Sequence, residues 1–238
     1  MTSICSNPVD HLKDDKDLCK LWESYTRNEF CRAMFASKKD ADKCFRNYAV
    51  QDYFYLWEYV RHVARVAACA PTIEMVKDYA QNISSAYAWG ERWKEICIRD
   101  LNIKPSEFQT PCVEPLTNYL KWLEKKYLEW LKNKENHQGQ GSTWLDFHVM
   151  SIPCIVGYYE IACWFRDEAT SPNENFYEHW VKPNANRVYV DSLRSYFEDS
   201  DQWEDDDETW SRWKGLFREA LILEHELFKS FVPRHQTS

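Results

Sequence analysis

Residues 45–66, FRNYAVQDYFYLWEYVRHVARV, decide the fold. Their apolar members Phe45, Tyr48, Ala49, Tyr55, Leu56, Tyr59, Val63 and Val66 recur at the spacing of one helical face. Asp52 sits inside that stripe. The pattern repeats near the C-terminus, where Phe217, Ala220, Leu227 and Phe231 define a face and Glu224 lies in its middle. An ionised carboxyl turned toward a packed interior costs several kcal/mol, as an order of magnitude, unless it is paired, hydrogen-bonded or protonated. Such a residue is either a satisfied structural group or part of a site. Two of them on distant helices, with a cysteine between them in sequence, point toward chemistry.

Working outward, a first helical stretch is expected over about residues 17–36 and a long one over 41–69, stopped by Pro71. Thr72 can cap the next, which runs to about Asp100. Residues 105–115 read as a connection. Leu116, Tyr119, Leu120, Leu123, Tyr127, Trp130 and Leu131 then mark a helix that ends before the Gly139-Gln140-Gly141 turn. Another begins near Ser142 or Thr143 and reaches about Phe165, with a kink expected before Cys154 because Pro153 interrupts it. Shorter helices follow around residues 175–180 and 186–197, and a last one around 204–231. No stretch alternates at period two long enough for a sheet. The expectation is an all-α bundle in one domain spanning residues 1–238, with about the first 15 residues a loosely ordered extension.

Composition narrows the function. Only 5 glycines against 12 tryptophans and 14 tyrosines suggest long helices around an interior lined by rings with polar tips. A net charge of -8 and the lack of any basic patch argue against a nucleic-acid partner. No apolar signal core and no run of spanning length is present, so no membrane partner is expected. The 9 cysteines are odd in number and show neither C-x-x-C pairs nor zinc spacing, which suits reduced thiols in a cytoplasmic protein.

Several groupings carry chemistry or a plainer alternative. Cys154 and Tyr158, four apart, share a helical face; the thiol is a nucleophile exposed by the kink, or a core cysteine beside a tyrosine. Asp52 and Tyr55 can orient a polar substrate or satisfy each other. Glu58 and His62 could offer two metal ligands, but no matching pair in phase appears elsewhere, and they read as a surface or boundary pair. The acidic run 198–208 reads as a solvated turn at the start of the final helix rather than a cation site.

The run Phe45-Arg46-Asn47-Tyr48-Ala49-Val50-Gln51-Asp52-Tyr53-Phe54-Tyr55-Leu56 resembles the F-x-x-Y-x-x-Q-D-x-x-Y-L signature of the TenA family, the thiaminase II group of the heme-oxygenase-like fold. Pro153-Cys154 with Tyr158-Tyr159-Glu160, the segment Phe176-Tyr177-Glu178-His179-Trp180, and Glu224 within Leu223–Phe228 agree in order and spacing. The resemblance implies a heme-oxygenase-like bundle with a central pocket that needs no metal or other cofactor, where a small-molecule aminopyrimidine loses a carbon–nitrogen bond. It makes Cys154 the nucleophile, Glu224 the group that moves a proton to the leaving group, and Asp52 the holder of the ring's amino edge. Tyr48, Tyr55 and Tyr158 would line the pocket. Three positions depart from the pattern: Leu116 and Asn184 stand where the family carries pocket tyrosines, Leu116 implying a greasier pocket, and Ala36-Ser37-Lys38-Lys39-Asp40 replaces a glycine-containing turn before the second helix. A repurposed enzyme performing cyclisation, isomerisation or elimination on a hydrophobic substrate is the alternative; a binding protein or an iron or heme oxygenase are more distant ones. The family's members often form homo-oligomers, although no exposed apolar stripe in this sequence demands it.

Overall fold

The computed structural model describes residues 7–35, 40–135, 144–169, 173–198 and 207–232, and every regular element among them is helical. Helix α4, Ala41–Cys69, is the long amphipathic helix anticipated from its apolar stripe. Pro71 follows its end, and the Thr72 hydroxyl accepts from the Met75 amide at 3.3 Å to open α5, Ile73–Arg99. The three-residue connection folds α5 back along α4, where the Trp93 indole donates to the Ala49 carbonyl at 3.0 Å. A 3₁₀ turn at Pro105–Gln109 leads into α6, Glu114–Glu135.

The N-terminal part departs from expectation twice. Residues 17–36 do not form one helix but α2, Cys19–Thr26, and α3, Glu29–Phe35. Asn28 makes the break: its amide donates to the Tyr25 carbonyl and accepts from the Cys31 N–H, each at 2.9 Å, closing one helix and opening the next. The expected loose extension is also corrected for residues 8–14. They form α1, Pro8–Asp14, capped by the Asn7 side chain and holding Val9 and Leu12 in the core, with Asp10 paired to Arg194.

Pro153 acts as expected, and its form is a wide turn. Helix α7, Trp144–Ile152, passes through a π turn at Pro153–Gly157 into α8, Tyr158–Glu168. Proline has no N–H to offer the preceding turn, so the ladder opens there. The Tyr25 hydroxyl donates to the Pro153 carbonyl at 2.9 Å and ties the turn to α2. A second π turn, Tyr177–Val181, joins the short α9, Glu174–Phe176, to α10, Lys182–Asn184, before α11, Val188–Glu198.

Helix α12, Asp207–Lys229, packs against α2, α3, α6 and α7, which puts Glu224 at the centre of the bundle. Buried Asp146 on α7 clamps it: the Arg212 Nε and Trp213 Nε1 donate to that carboxylate at 3.1 and 2.8 Å. Residues 36–39, the stretch 139–141 where a turn was expected and residues 199–206 of the acidic run lie outside the described residues. Among the described residues no helix is long and apolar enough to cross a membrane.

Candidate active site

A cavity of about 340 Å³ opens between α4, α5, the α7–α8 kink, α10 and α11. Asp52 and Tyr55 face it from α4, Cys154 and Tyr158 from the kink, and Asn184 from α10. The spacing of α4 explains the shared wall: residues 52, 55, 59, 62, 63 and 66 recur on one face over about four turns. Two expected site residues lie one step behind. Tyr48 and Glu224 are buried and do not line the cavity, yet each bonds to a residue that does.

The bonds join the two carboxyls through phenols. The Tyr158 hydroxyl donates to Glu224 Oε2 at 3.1 Å, and the Tyr48 hydroxyl donates to Asp52 Oδ1 at 3.1 Å. The Trp180 indole donates to the Tyr48 oxygen at 3.0 Å, and its ring lies 5.1 Å from that of Tyr158. Glu224 Oε1 has no hydrogen-bond partner although it is fully buried. An unpaired carboxyl oxygen in such a place favours the protonated acid.

Burial pushes the Glu224 carboxyl up to about 8; Tyr119 and Tyr158 pull it back, and the nearby Asp52 charge adds to the rise. Burial likewise pushes Asp52 up to about 7, against the Tyr48 bond. Asp52 is deep in the bundle yet only half-buried, since part of its surface faces the cavity. Burial and the Glu224 charge push the Cys154 thiol up to about 12, while the phenol of Tyr55 works the other way. The thiol donates to the Ser151 carbonyl at 3.2 Å. At neutral pH it carries its proton, and of the two acids Glu224 is the one whose charge acts on it.

One pocket residue is corrected. Leu116 is fully buried on α6 but packs in the core and does not line the cavity. The α6 residue that reaches the cluster is Tyr119, one turn further on, whose ring lies 5.6 Å from that of Tyr55 and whose phenol acts on Glu224. A phenol therefore stands beside Glu224 despite the leucine. Asn184 lines the cavity and donates to the Trp180 carbonyl at 2.8 Å.

Sequence reasoning missed the two histidines of the cavity. His62 is not a boundary partner of Glu58: it is buried, lines the cavity and meets Ser151 Oγ at 3.4 Å, while Glu58 pairs with Arg61 at the surface. His148 is also buried there, with its Nε2 2.6 Å from the Tyr79 hydroxyl and its ring 4.2 Å from Tyr196. Burial lowers the two imidazoles to about 4 and about 3, so both are neutral. The signal for His62 was its place in the same α4 stripe. Among the described residues no group of three or more His, Cys, Asp or Glu side chains could hold a metal ion.

Residues 16–230 match the model of the TENA/THI-4/PQQC family. The chain belongs to this family. It is similar to the Saccharomyces cerevisiae thiamine biosynthesis protein THI22, at 22% identity over 165 residues, 67% of this chain and 26% of that protein. The chain thus spans about a quarter of the length of that relative. Among solved structures it resembles a TenA homologue from P. horikoshii OT3, with a TM-score of 0.76, 16% identity, and 95% and 98% of the two chains covered. A TenA family transcription regulator from Silicibacter sp. TM1040 gives a TM-score of 0.74 at 21% identity, with 90% and 92% covered. At these identities the likeness carries the fold, and the TenA fold and the all-α bundle agree.

Proposed function

We propose that this TenA-family chain is a hydrolase that cleaves a carbon–nitrogen bond of an aminopyrimidine or a related amine. The observation that carries the reading is the thiol of Cys154 on a cavity shared with Asp52, with Glu224 one phenol behind, both acids pushed toward neutrality. Asp52 would accept a hydrogen bond from the ring's amino group and take the proton as the sulfur of Cys154 adds to a ring carbon. The Tyr158 hydroxyl, turned from Glu224 to the substrate, would give its proton to the departing amine and take the proton of protonated Glu224 in its place. Water then adds where the amine left, the sulfur leaves the ring, and the thiol recovers its proton. The sum is amine plus water giving alcohol plus ammonia. A neutral thiol with nearby bases suits this order, since the proton leaves as the bond forms.

The test is ammonia release from a 5-aminomethylpyrimidine by the purified protein. Cys154→Ala and Glu224→Gln should each abolish it, and full activity in both variants would overturn the reading. A second reading draws on the apolar wall formed by Leu56, Val63, Val66, Trp89 and Trp93. It is an enzyme that cyclises, isomerises or eliminates from a hydrophobic substrate, and a hydrophobic ligand retained through purification and seen by mass spectrometry would favour it.

A further inference from the structure

Asp52 and Cys154 share the cavity with two buried imidazoles, His62 ten residues along α4 from Asp52 and His148 six residues before Cys154. Ser151 stands between, its carbonyl on the Cys154 thiol and its hydroxyl on His62. Along α4 the cavity wall runs from Asp52 to Val66, which at ~1.5 Å per residue is roughly 20 Å, several times the width of one ring. Its volume, about 340 Å³, lies in the range of pockets for drug-sized ligands, ~300–1,000 Å³. The wall carries Leu56, Tyr59, Val63, Trp89 and Trp93, with Asn82, Ser85 and Ser192 as polar members. Around His62 and His148 its polar groups gather.

That polar cluster is built and neutral. Ser151 has one hydroxyl proton, and it goes to the Phe147 carbonyl at 2.9 Å. In its contact with Ser151 the His62 Nε2–H is therefore the donor, which fixes the tautomer and leaves Nδ1 as an acceptor. The Tyr79 hydroxyl and His148 Nε2 are hydrogen-bonded at 2.6 Å, and Tyr196 stacked on the imidazole holds the ring in place. Among the described residues lining the cavity there is no lysine or arginine. A phosphate or carboxylate brought there would lose its water with no cation to replace it.

We propose that His62, His148, Tyr79 and Ser151 form a second subsite that takes the uncharged hydrogen-bonding terminus of an elongated substrate, whose reacting ring lies at Asp52 and Cys154. The substrate class is a heteroaromatic amine joined through an apolar spacer to a hydroxyl, amide or carbonyl group. This rests on the hydrolase reading and extends it, making the four residues determinants of substrate length and terminus.

The experiment measures binding by calorimetry to the full chain. The probes are 5-aminomethyl-2-methylpyrimidin-4-amine and its N-acyl derivatives with a six-carbon arm ending in methyl, hydroxyl, ammonium or carboxylate. The hydroxyl arm should bind about tenfold more tightly than the methyl arm, as one buried hydrogen bond implies, and the carboxylate arm should bind most weakly. In His148→Phe and in the smaller change Ser151→Ala the hydroxyl-to-methyl ratio should fall toward one, while His148→Gln, which keeps a hydrogen-bonding group, should restore part of it. A single ring bound as tightly as every armed probe, or a ratio unchanged in the variants, would overturn the second subsite alone. Preference for the ammonium or carboxylate arm would overturn its neutral character. Failure of every probe to bind would overturn the aminopyrimidine reading and this extension with it.

Discussion

In the group around the thiol Glu224 and Asp52 are acids pushed up to about 8 and about 7, whereas in the histidine group His62 and His148 are bases pushed down to about 4 and about 3. One cause, removal from water, acts on both, and it always favours the uncharged form. For a carboxyl that outcome brings the group near neutral pH, where it can give and take protons. For an imidazole it moves the group away from that pH and leaves a fixed hydrogen-bonding ring. On the proposed reading, the same burial suits one group of residues to proton transfer and the other to binding.

The largest expected effect breaks the thiol group of residues. Glu224→Gln keeps the shape and the Tyr158 contact but cannot carry a proton, so kcat for ammonia release should fall by ~10²–10⁴, the usual worth of a positioned acid–base group. A loss under threefold would remove Glu224 from the chemistry. Tyr158→Phe should cost less, about tenfold, because it removes the hydroxyl between the acid and the cavity. It also removes a bond that holds the carboxyl down, so the alkaline limb of the pH–rate profile should move to higher pH. An unmoved or lowered limb would argue that Glu224 is not the proton donor.

Stability against pH sharpens the contrast, because the two groups have opposite slopes. Each carboxyl is held more protonated when folded, with Glu224 raised from 4.5 to about 8 and Asp52 from 3.8 to about 7. The unfolded chain therefore sheds these protons first, and stability falls as pH rises through that window. The imidazoles, lowered from 6.5 to about 4 and about 3, give the reverse: stability falls as pH drops below 6.5. Between about pH 4.5 and 6.5 the slopes oppose each other, and above 6.5 the carboxyl slope stands alone. Melting temperatures should be nearly level in the first interval and decline toward pH 8, with a shallower decline in Glu224→Gln. An equal decline in that variant would mean that Glu224 is not held protonated.

The two groups also differ in how far the sequence revealed them. Asp52 and Glu224 were visible because each is a charged residue in an otherwise apolar stripe, and α4 and α12 have polar faces against which a stripe can be seen. Helix α7 offers no such contrast. Every residue from Asp146 to Ile152 is buried, so periodicity could not mark His148 or Ser151 as facing a cavity. His62 lay in a legible stripe, but its i−4 neighbour Glu58 suggested a surface pair. Leu116 and Tyr119 differ by one turn, and only the packing of α6 on α12 decides which of them approaches Glu224. The break at Asn28 was hidden because a side-chain bond to the backbone, not proline or glycine, ends the helix.

The π turn at Pro153–Gly157 separates the two groups along the chain, with His148 and Ser151 before it and Cys154 within it, so a change in the turn tests whether they are independent. A Cβ added at Gly157 would lie 2.4 Å from Tyr25 Cε1 and 2.9 Å from its hydroxyl oxygen. Tyr25 is fully buried and tied to the Pro153 carbonyl, so it has little room to retreat. Gly157→Ala should cost ~1–3 kcal/mol in urea unfolding, the usual price of overpacking. Its geometric effect should fall on the thiol side, since Tyr25 holds the carbonyl of the residue just before Cys154. The rate of Cys154 alkylation should change by a few-fold, while the nitrogen signals of His148, fixed by Tyr79 from α5, stay where they are. A shift of the His148 signals as large as the change at Cys154 would show that the kink couples the groups, and that recognition at one adjusts chemistry at the other.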